Sequence, residues 1–242
     1  MSNYREAANL IRTARRILVL TGAGMSTESG IKDFRSKDGL YSNRFEGYAP
    51  EEILSHGFFR RNPETFYRFI KEKLDTSGIE PNQGHRILSA WQEIKDVTII
   101  TQNIDSLHQK AGSTEVLEIH GALGSTTCTA CRKTRLLTEV LAAGYDCECG
   151  GRFKPDVVLY DEAVDKIEEA FQLAMDADLL LILGTSLTVY PVAAIPQVYN
   201  LEKKKAIIIN QDPTPYALHF NVLEFNEPIG KALSTLDHMM QE

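Results

Sequence analysis

The sequence predicts an α/β fold, a parallel sheet with helices on both faces, carrying a smaller lobe built from two insertions. Three observations lead there. Six short runs, ILVL at 17–20, VTII at 97–100, VLEI at 116–119, VVLY at 157–160, LLLIL at 179–183 and AIII at 206–209, are mostly apolar throughout rather than alternating, as strands covered on both faces are. Five of the runs pass into polar or glycine-rich residues, TGAG, TQNID, HGA, GTS and NQD. Ligands of open α/β sheets bind beyond the carboxyl ends of the strands, so these five ends are expected around one cleft. Finally, residues 34–96 and 122–155 interrupt the alternation of strand and helix and read as insertions.

Tyr4, Ala7, Ala8 and Ile11 mark an opening helix, with Asn3 as its expected cap. The first strand at 17–20 leads into TGAGMSTESGI. Within 34–96, Asn62-Pro63 reads as cap and first turn of a helix through Phe66, Phe69, Ile70 and Leu74, and a second helix runs through Ile87, Leu88, Trp91 and Ile94. Between the cysteines, Leu136, Leu137, Val140 and Leu141 suggest a short helix. No repeat, low-complexity tract or long linker is apparent.

Composition narrows the function classes. The 242 residues are 43% hydrophobic and 24% charged, ordinary globular usage that supports a buried core and excludes disorder. A net charge of −7 lacks the footprint of a nucleic-acid binder. The N-terminal MSNYREAANLIRTARR has no apolar signal region, and LLLIL is far too short to span a bilayer. A cytoplasmic protein with no membrane partner is therefore expected.

Chemistry is concentrated at the strand ends. Gly22, Ala23, Gly24 and Thr27 read either as a tight strand-to-helix turn or as a phosphate-approaching loop. No third glycine occupies the Thr27 position and no acidic strand end comes about 20 residues on, which disfavours a hydride-transferring dehydrogenase. Asp33, Phe34 and Arg35 come next; Arg35 suits a diphosphate or is a solvated charge, with Phe34 in the core. Gln102, Asn103 and Asp105 offer groups for a ribose or an amide, although Asp105 alone would also serve as a helix cap. His120 directly succeeds a strand, where a base working near neutrality belongs. Gly184, Thr185, Ser186 and Asn210 suit phosphate and ribose diol, or ordinary loop capping. Cys128, Cys131, Cys147 and Cys149, spaced C-x2-C-x15-C-x-C, match a closed structural Zn2+ site; without a secretion signal, metal is favoured over disulfides.

Taken together, GAGMSTESGIKDFRS, TQNIDSLH, EIHGAL, the paired cysteines, GTSLTVYP and IIIN resemble, in order and over nearly the whole chain, the sirtuins, NAD-dependent protein deacylases. The resemblance implies a Rossmann-like NAD-binding domain from 1–33, 97–121 and 156–242, a helical module at 34–96 and a zinc module at 122–155. It implies NAD contacts from Ala23, Thr27, Phe34, Arg35, Gln102, Ser186 and Asn210, a nicotinamide pocket at Ile104 and Asp105, and His120 as base with Asn103 orienting ribose and water. The implied reaction is a transferase reaction: the acyl oxygen of a modified lysine attacks C1′ of the nicotinamide ribose, nicotinamide leaves, and the acyl group ends on ADP-ribose with no hydride moved. The acylated peptide is expected as an added strand between Val158–Asp161 and Leu187–Tyr190, with Val157, Val158, Leu159, Tyr160 and Tyr67 as substrate contacts.

Three positions depart from the family pattern. Asp161 replaces glycine in the substrate segment, Lys32 stands where proline is common, and Tyr67-Arg68-Phe69-Ile70 has the tyrosine but not the arginine of the Y-x-x-R pair that binds dicarboxylic acyl groups. Poor turnover of such groups is expected. An ADP-ribosyltransferase or NAD hydrolase using the same C1′ chemistry is the nearest alternative. A nucleic-acid-binding zinc ribbon drawing on Arg132, Lys133, Arg135, Arg152 and Lys154 is the more distant one.

Overall fold

The computed structural model describes residues 2–34 and 39–241. In chain order the elements are α1 (Ser2–Thr13), β1 (Arg16–Thr21), α2 (Pro50–Ile53), α3 (His56–Arg61), α4 (Pro63–Lys73), α5 (Gln83–Ile94), β2 (Asp96–Thr101), α6 (Leu107–Lys110), β3 (Val116–Glu118), β4 (Gly121–Cys128), β5 (Thr134–Leu136), α7 (Leu137–Ala143), β6 (Phe153–Val157), α8 (Ile167–Asp176), β7 (Leu179–Leu183), α9 (Ile195–Val198), β8 (Ala206–Ile209), β9 (Val222–Phe225) and α10 (Ile229–Gln241). Helix α1 begins at Ser2, so Asn3 lies in its first turn rather than capping it.

Six strands form one parallel sheet in the order β3-β2-β1-β7-β8-β9. Side chains alternate across a strand, which explains why the buried runs need no polar residue. Along β7, Leu179, Leu181 and Leu183 join one core with Ala7, Ile11, Trp91, Leu233 and Leu236 from α1, α5 and α10. Leu180 and Ile182 face the other core with Ala170, Ile195 and Tyr199 from the α8 and α9 side. Each buried leucine or isoleucine among them contributes roughly 1.5–3 kcal/mol. The one tryptophan satisfies its indole by donating to Asp237 Oδ1 at 2.7 Å.

Strands β1 and β7 lie side by side at the centre while the chain continues outward from each in opposite directions. That is the topological switch point, where strand ends diverge and leave a crevice.

The second sheet is antiparallel, β5-β4-β6. Its core combines Phe153 and Val140 with Phe58, Phe59, Phe66, Phe69 and Ile70 from the helical segment. Segment 34–96, expected as one helical module, divides in its packing: the α3 and α4 aromatics belong to this lobe, whereas Ile87, Leu88 and Trp91 of α5 belong to the large core.

Strands β4 and β5 of the second sheet are not among the expected runs, and two assignments for the large sheet also differ from the sequence reading. VVLY is not a strand of the parallel sheet: Val157 ends β6, and Val158 and Tyr160 instead donate to His120 O and Leu54 O, at 2.9 Å each. Periodicity in a short apolar run cannot identify its partner. Strand β9 is not among the expected runs; its Glu224 carboxylate is bound by Thr214 N and Oγ1 at 2.8 and 2.9 Å.

Candidate active site

The carboxyl ends of β1, β2, β3, β7 and β8 open onto one cavity of about 810 Å³ between the two lobes, a size suited to a substantial ligand. Of the residues expected from sequence, Gly22, Ala23, Gly24, Thr27, Asp33, Phe34, Gln102, Asn103, Ile104, His120, Val157, Val158, Leu159, Tyr160, Gly184, Thr185, Ser186 and Asn210 all line it. Arg35 lies outside the described residues.

The glycines serve chiefly to bring β1 and β7 together. Gly22 N and Gly24 N donate to Leu183 O and Gly184 O at 3.0 and 2.8 Å, so neither N–H is held for a phosphate; Ala23 N–H stays out of this bonding. A Cβ on Gly24 would come within 2.7 Å of Gly184 Cα, and one on Gly184, whose φ is +61°, within 2.4 Å of Met25 N. The helical stretch that follows the first strand is a 3₁₀ helix, Ala23–Ser29.

At the end of β2, Gln102 and Asn103 are already oriented by their amide N–H groups. Gln102 Nε2 donates to Thr185 Oγ1 at 2.9 Å, tying β2 to β7. Asn103 Nδ2 donates to Gly22 O at 3.1 Å and Ser26 Oγ at 3.0 Å, leaving its carbonyl oxygen as the acceptor available to a ligand. Ser26 Oγ in turn donates to Asp105 Oδ2 at 2.6 Å. Asp105 does not line the cavity, contrary to expectation: its carboxylate also accepts from Leu107 N at 2.9 Å, so it caps α6 and braces Asn103 through Ser26. Burial raises the Asp105 carboxyl, and the bonds from Ser26 and Leu107 oppose that rise. Ser26 is the residue sequence reading missed; its partners are 77 and 79 positions away, beyond any local pattern.

His120 Nδ1 lies 3.1 Å from Gln102 O. A carbonyl only accepts, so Nδ1 carries the hydrogen and Nε2 keeps its lone pair. Burial pushes the imidazole below its ordinary 6.5, only partly offset by the bond to Gln102. The ring is therefore neutral and basic at Nε2 near pH 7.

The opposite wall is the segment between the lobes. Glu162 anchors it: its carboxylate accepts from Leu159 N at 2.8 Å and pairs with His56 at 2.7 Å and Lys154 at 2.9 Å. Burial works against the charged form of Glu162, but these donors outweigh it and hold the carboxyl below its usual range. Phe34 stands 5.2 Å from the Tyr41 ring, and Tyr41 Oη is 2.9 Å from Tyr160 Oη.

Tyr67, expected as a substrate contact, is not in the cavity. Its ring is buried in the small-lobe core, stacked on Tyr145 at 5.1 Å, and its hydroxyl donates to Phe153 O. No lysine or arginine lines the cavity among the described residues.

The four cysteines converge from the β4 end and the loop before β6, with all sulfurs within 4.8 Å of one another. Cys128 and Cys149 are 3.5 Å apart, Cys131 and Cys147 3.8 Å, too long for disulfides. Four thiolates about 2.3 Å from one tetrahedral ion would stand roughly 3.8 Å apart, so the donor set fits zinc.

The Sir2 family model matches residues 22–191. The NAD-dependent protein deacetylase of Chromobacterium violaceum is 45% identical over 219 residues, covering 88% of each chain. NAD-dependent protein deacetylase 2 of Geobacillus kaustophilus is 41% identical over 100% of this chain and 99% of its own. Among solved structures, a Sir2 complex with p53 peptide and NAD+ superposes with a TM-score of 0.86 at 33% identity, covering 98% of both chains. A Sir2 complex with deacetylated p53 peptide and 3′-O-acetyl ADP-ribose gives 0.88 at 32%, covering 97% of both.

Proposed function

The chain belongs to the Sir2 family and is an NAD-dependent protein deacetylase, in which we propose that His120 is the base and Asn103 orients the ribose and water. The observation that carries this is the bond from His120 Nδ1 to Gln102 O, which leaves a neutral imidazole in the cavity wall with Nε2 free to accept a proton.

NAD supplies an electrophilic C1′ as nicotinamide departs, through an oxocarbenium-like transition state related to that of glycoside cleavage. The chain's own groups do the rest. Gly22, Ala23, Gly24, Thr27, Asp33, Gly184, Thr185, Ser186 and Asn210 border the nucleotide; Arg35 remains an expectation for its diphosphate. Gln102 and Ile104 border the nicotinamide end. Phe34 shields the reacting centre from water. His120 Nε2 takes a proton from a ribose hydroxyl so that the sugar oxygen can accept the acyl carbon, and Asn103 Oδ1 accepts a hydrogen bond from ribose or water. Val157, Val158, Leu159 and Tyr160 contact the acyl-lysine peptide.

We assign Zn2+ to Cys128, Cys131, Cys147 and Cys149, where a four-thiolate shell leaves no open position and the ion is structural. Cysteines gathered as metal ligands rather than paired in disulfides agree with a reducing, cytoplasmic setting. No described helix is long and apolar enough to cross a membrane, and the net charge of −7 argues against a nucleic-acid partner.

The test is an acyl-peptide panel with NAD, scored for nicotinamide, deacetylated peptide and O-acetyl-ADP-ribose, comparing wild type with His120→Ala. Loss of deacetylated peptide and of O-acetyl-ADP-ribose in the variant, with fold and bound zinc retained, supports the assignment. Full activity in the variant removes it. Free or protein-linked ADP-ribose formed without acyl-lysine supports the transferase or hydrolase alternative instead.

A further inference from the structure

Six acidic residues, Glu28, Asp33, Asp161, Glu162, Asp212 and Glu227, line the cavity among the described residues. Several are engaged. Glu162 is bound by Lys154 and His56, Glu227 by Lys231 at 2.9 Å, and Glu28 accepts from Gly230 N at 2.6 Å. Asp161 differs. It is exposed on the rim, and its carboxylate has no hydrogen bond or ion pair among the described residues.

Its position is held by the backbone. Glu162 N donates to Leu159 O at 3.1 Å, closing a turn whose third residue is Asp161, with φ of +72°. That left-handed conformation admits glycine, asparagine and aspartate most readily. The turn belongs to the wall that Glu162 anchors through Leu159 N, so the carboxylate is displayed from a fixed segment. Two exposed rings line the same cavity: Tyr160, next to Asp161 in the chain, is 38% and Tyr190 71% exposed. An unpaired anion accompanied by aromatic faces is a recognition surface for a cation, through charge and through cation–π contact.

We propose that Asp161, with the rings of Tyr160 and Tyr190, selects acyl-lysine substrates carrying a lysine or arginine beside the modified residue. The inference rests on the deacetylase reading of this cavity and names its substrate class. The modified lysine has lost its own charge, so the selected cation is a neighbouring side chain on the peptide. Peptides with acidic flanks are repelled by the same carboxylate.

The experiment measures kcat/KM at fixed NAD for three acetyl-lysine peptides matched in length, with arginine, alanine or glutamate on both sides of the acetyl-lysine. Wild type is expected to rank them arginine, alanine, glutamate, with arginine over alanine by roughly fivefold, the scale of a solvent-exposed ion pair. About 0.5 M salt should compress the ranking. Asp161→Asn keeps a side chain suited to the left-handed turn while removing the charge, and should flatten the ranking whatever its overall rate. Asp161→Lys should invert it. Equal kcat/KM for the three peptides in wild type, or an unchanged ranking in Asp161→Asn, overturns the inference while leaving the deacetylase reading intact. Failure of wild type to deacetylate any of the three overturns both.

Discussion

His120 Nδ1 sits 3.1 Å from the carbonyl oxygen of Gln102, a contact between the turn that follows β3 and the residue just past the end of its neighbour β2. It orients the ring and selects the tautomer, while burial holds the imidazole below its ordinary 6.5. His120→Ala should lower kcat/KM by on the order of 10²- to 10⁴-fold, the contribution of a positioned base, without displacing the thermal transition by more than a few degrees.

The pH profile tests the same geometry. Protonation removes the base, so activity falls as pH drops through the lowered pKa of His120. The acidic limb of kcat/KM is therefore expected below pH 6.5, with the neutral form dominant above it. An acidic limb centred at or above the ordinary histidine value would contradict the burial argument.

Poor turnover of dicarboxylic acyl groups is expected from the absence of lysine or arginine in the cavity lining among the described residues, and from the placement of Tyr67 in the small-lobe core. A terminal carboxylate entering this acidic cavity would meet repulsion, with no lysine or arginine among the described lining residues to offset it. Succinyl-lysine peptide should be turned over at least about tenfold less efficiently than acetyl-lysine peptide. Comparable kcat/KM values would show that an unidentified cation reaches the acyl end.

The close approach of β1 to β7 makes Gly184 a sharp test of the crevice. Alanine there would place Cβ 2.4 Å from Met25 N at a φ of +61°, combining a backbone clash with left-handed strain. A loss of at least about 2 kcal/mol in denaturant unfolding is expected. Gly124→Ala, where a Cβ meets nothing within 4 Å, is the control and should change stability by under about 0.5 kcal/mol.

Zinc removal should separate architecture from chemistry. Cys147→Ser, or a strong chelator, is expected to release the single ion, lower the melting temperature and abolish deacetylation, since a structural site contributes its binding energy to folding. A Cys147→Ser protein retaining one full metal equivalent would show that the four sulfurs do not share one ion.

Much of this was legible locally. A run such as LLLIL needs only its own residues to declare burial on both faces, and a histidine or asparagine after such a run already stands at the cleft side of the sheet, because side-chain alternation and strand polarity are local properties. The cysteine spacing likewise contains its own donor set. Those features yielded the parallel sheet, the lining of the cavity and the thiolate cluster. Partner choice was decided by the tertiary structure. VVLY runs between lobes because His120 and Leu54 present carbonyls to it, Asp105 braces Asn103 through a serine 79 positions away, and Tyr67 turns inward to Phe153 O. Hydrogen-bond partners and loss of water depend on which distant elements pack together, and neither is written in the order of neighbouring residues.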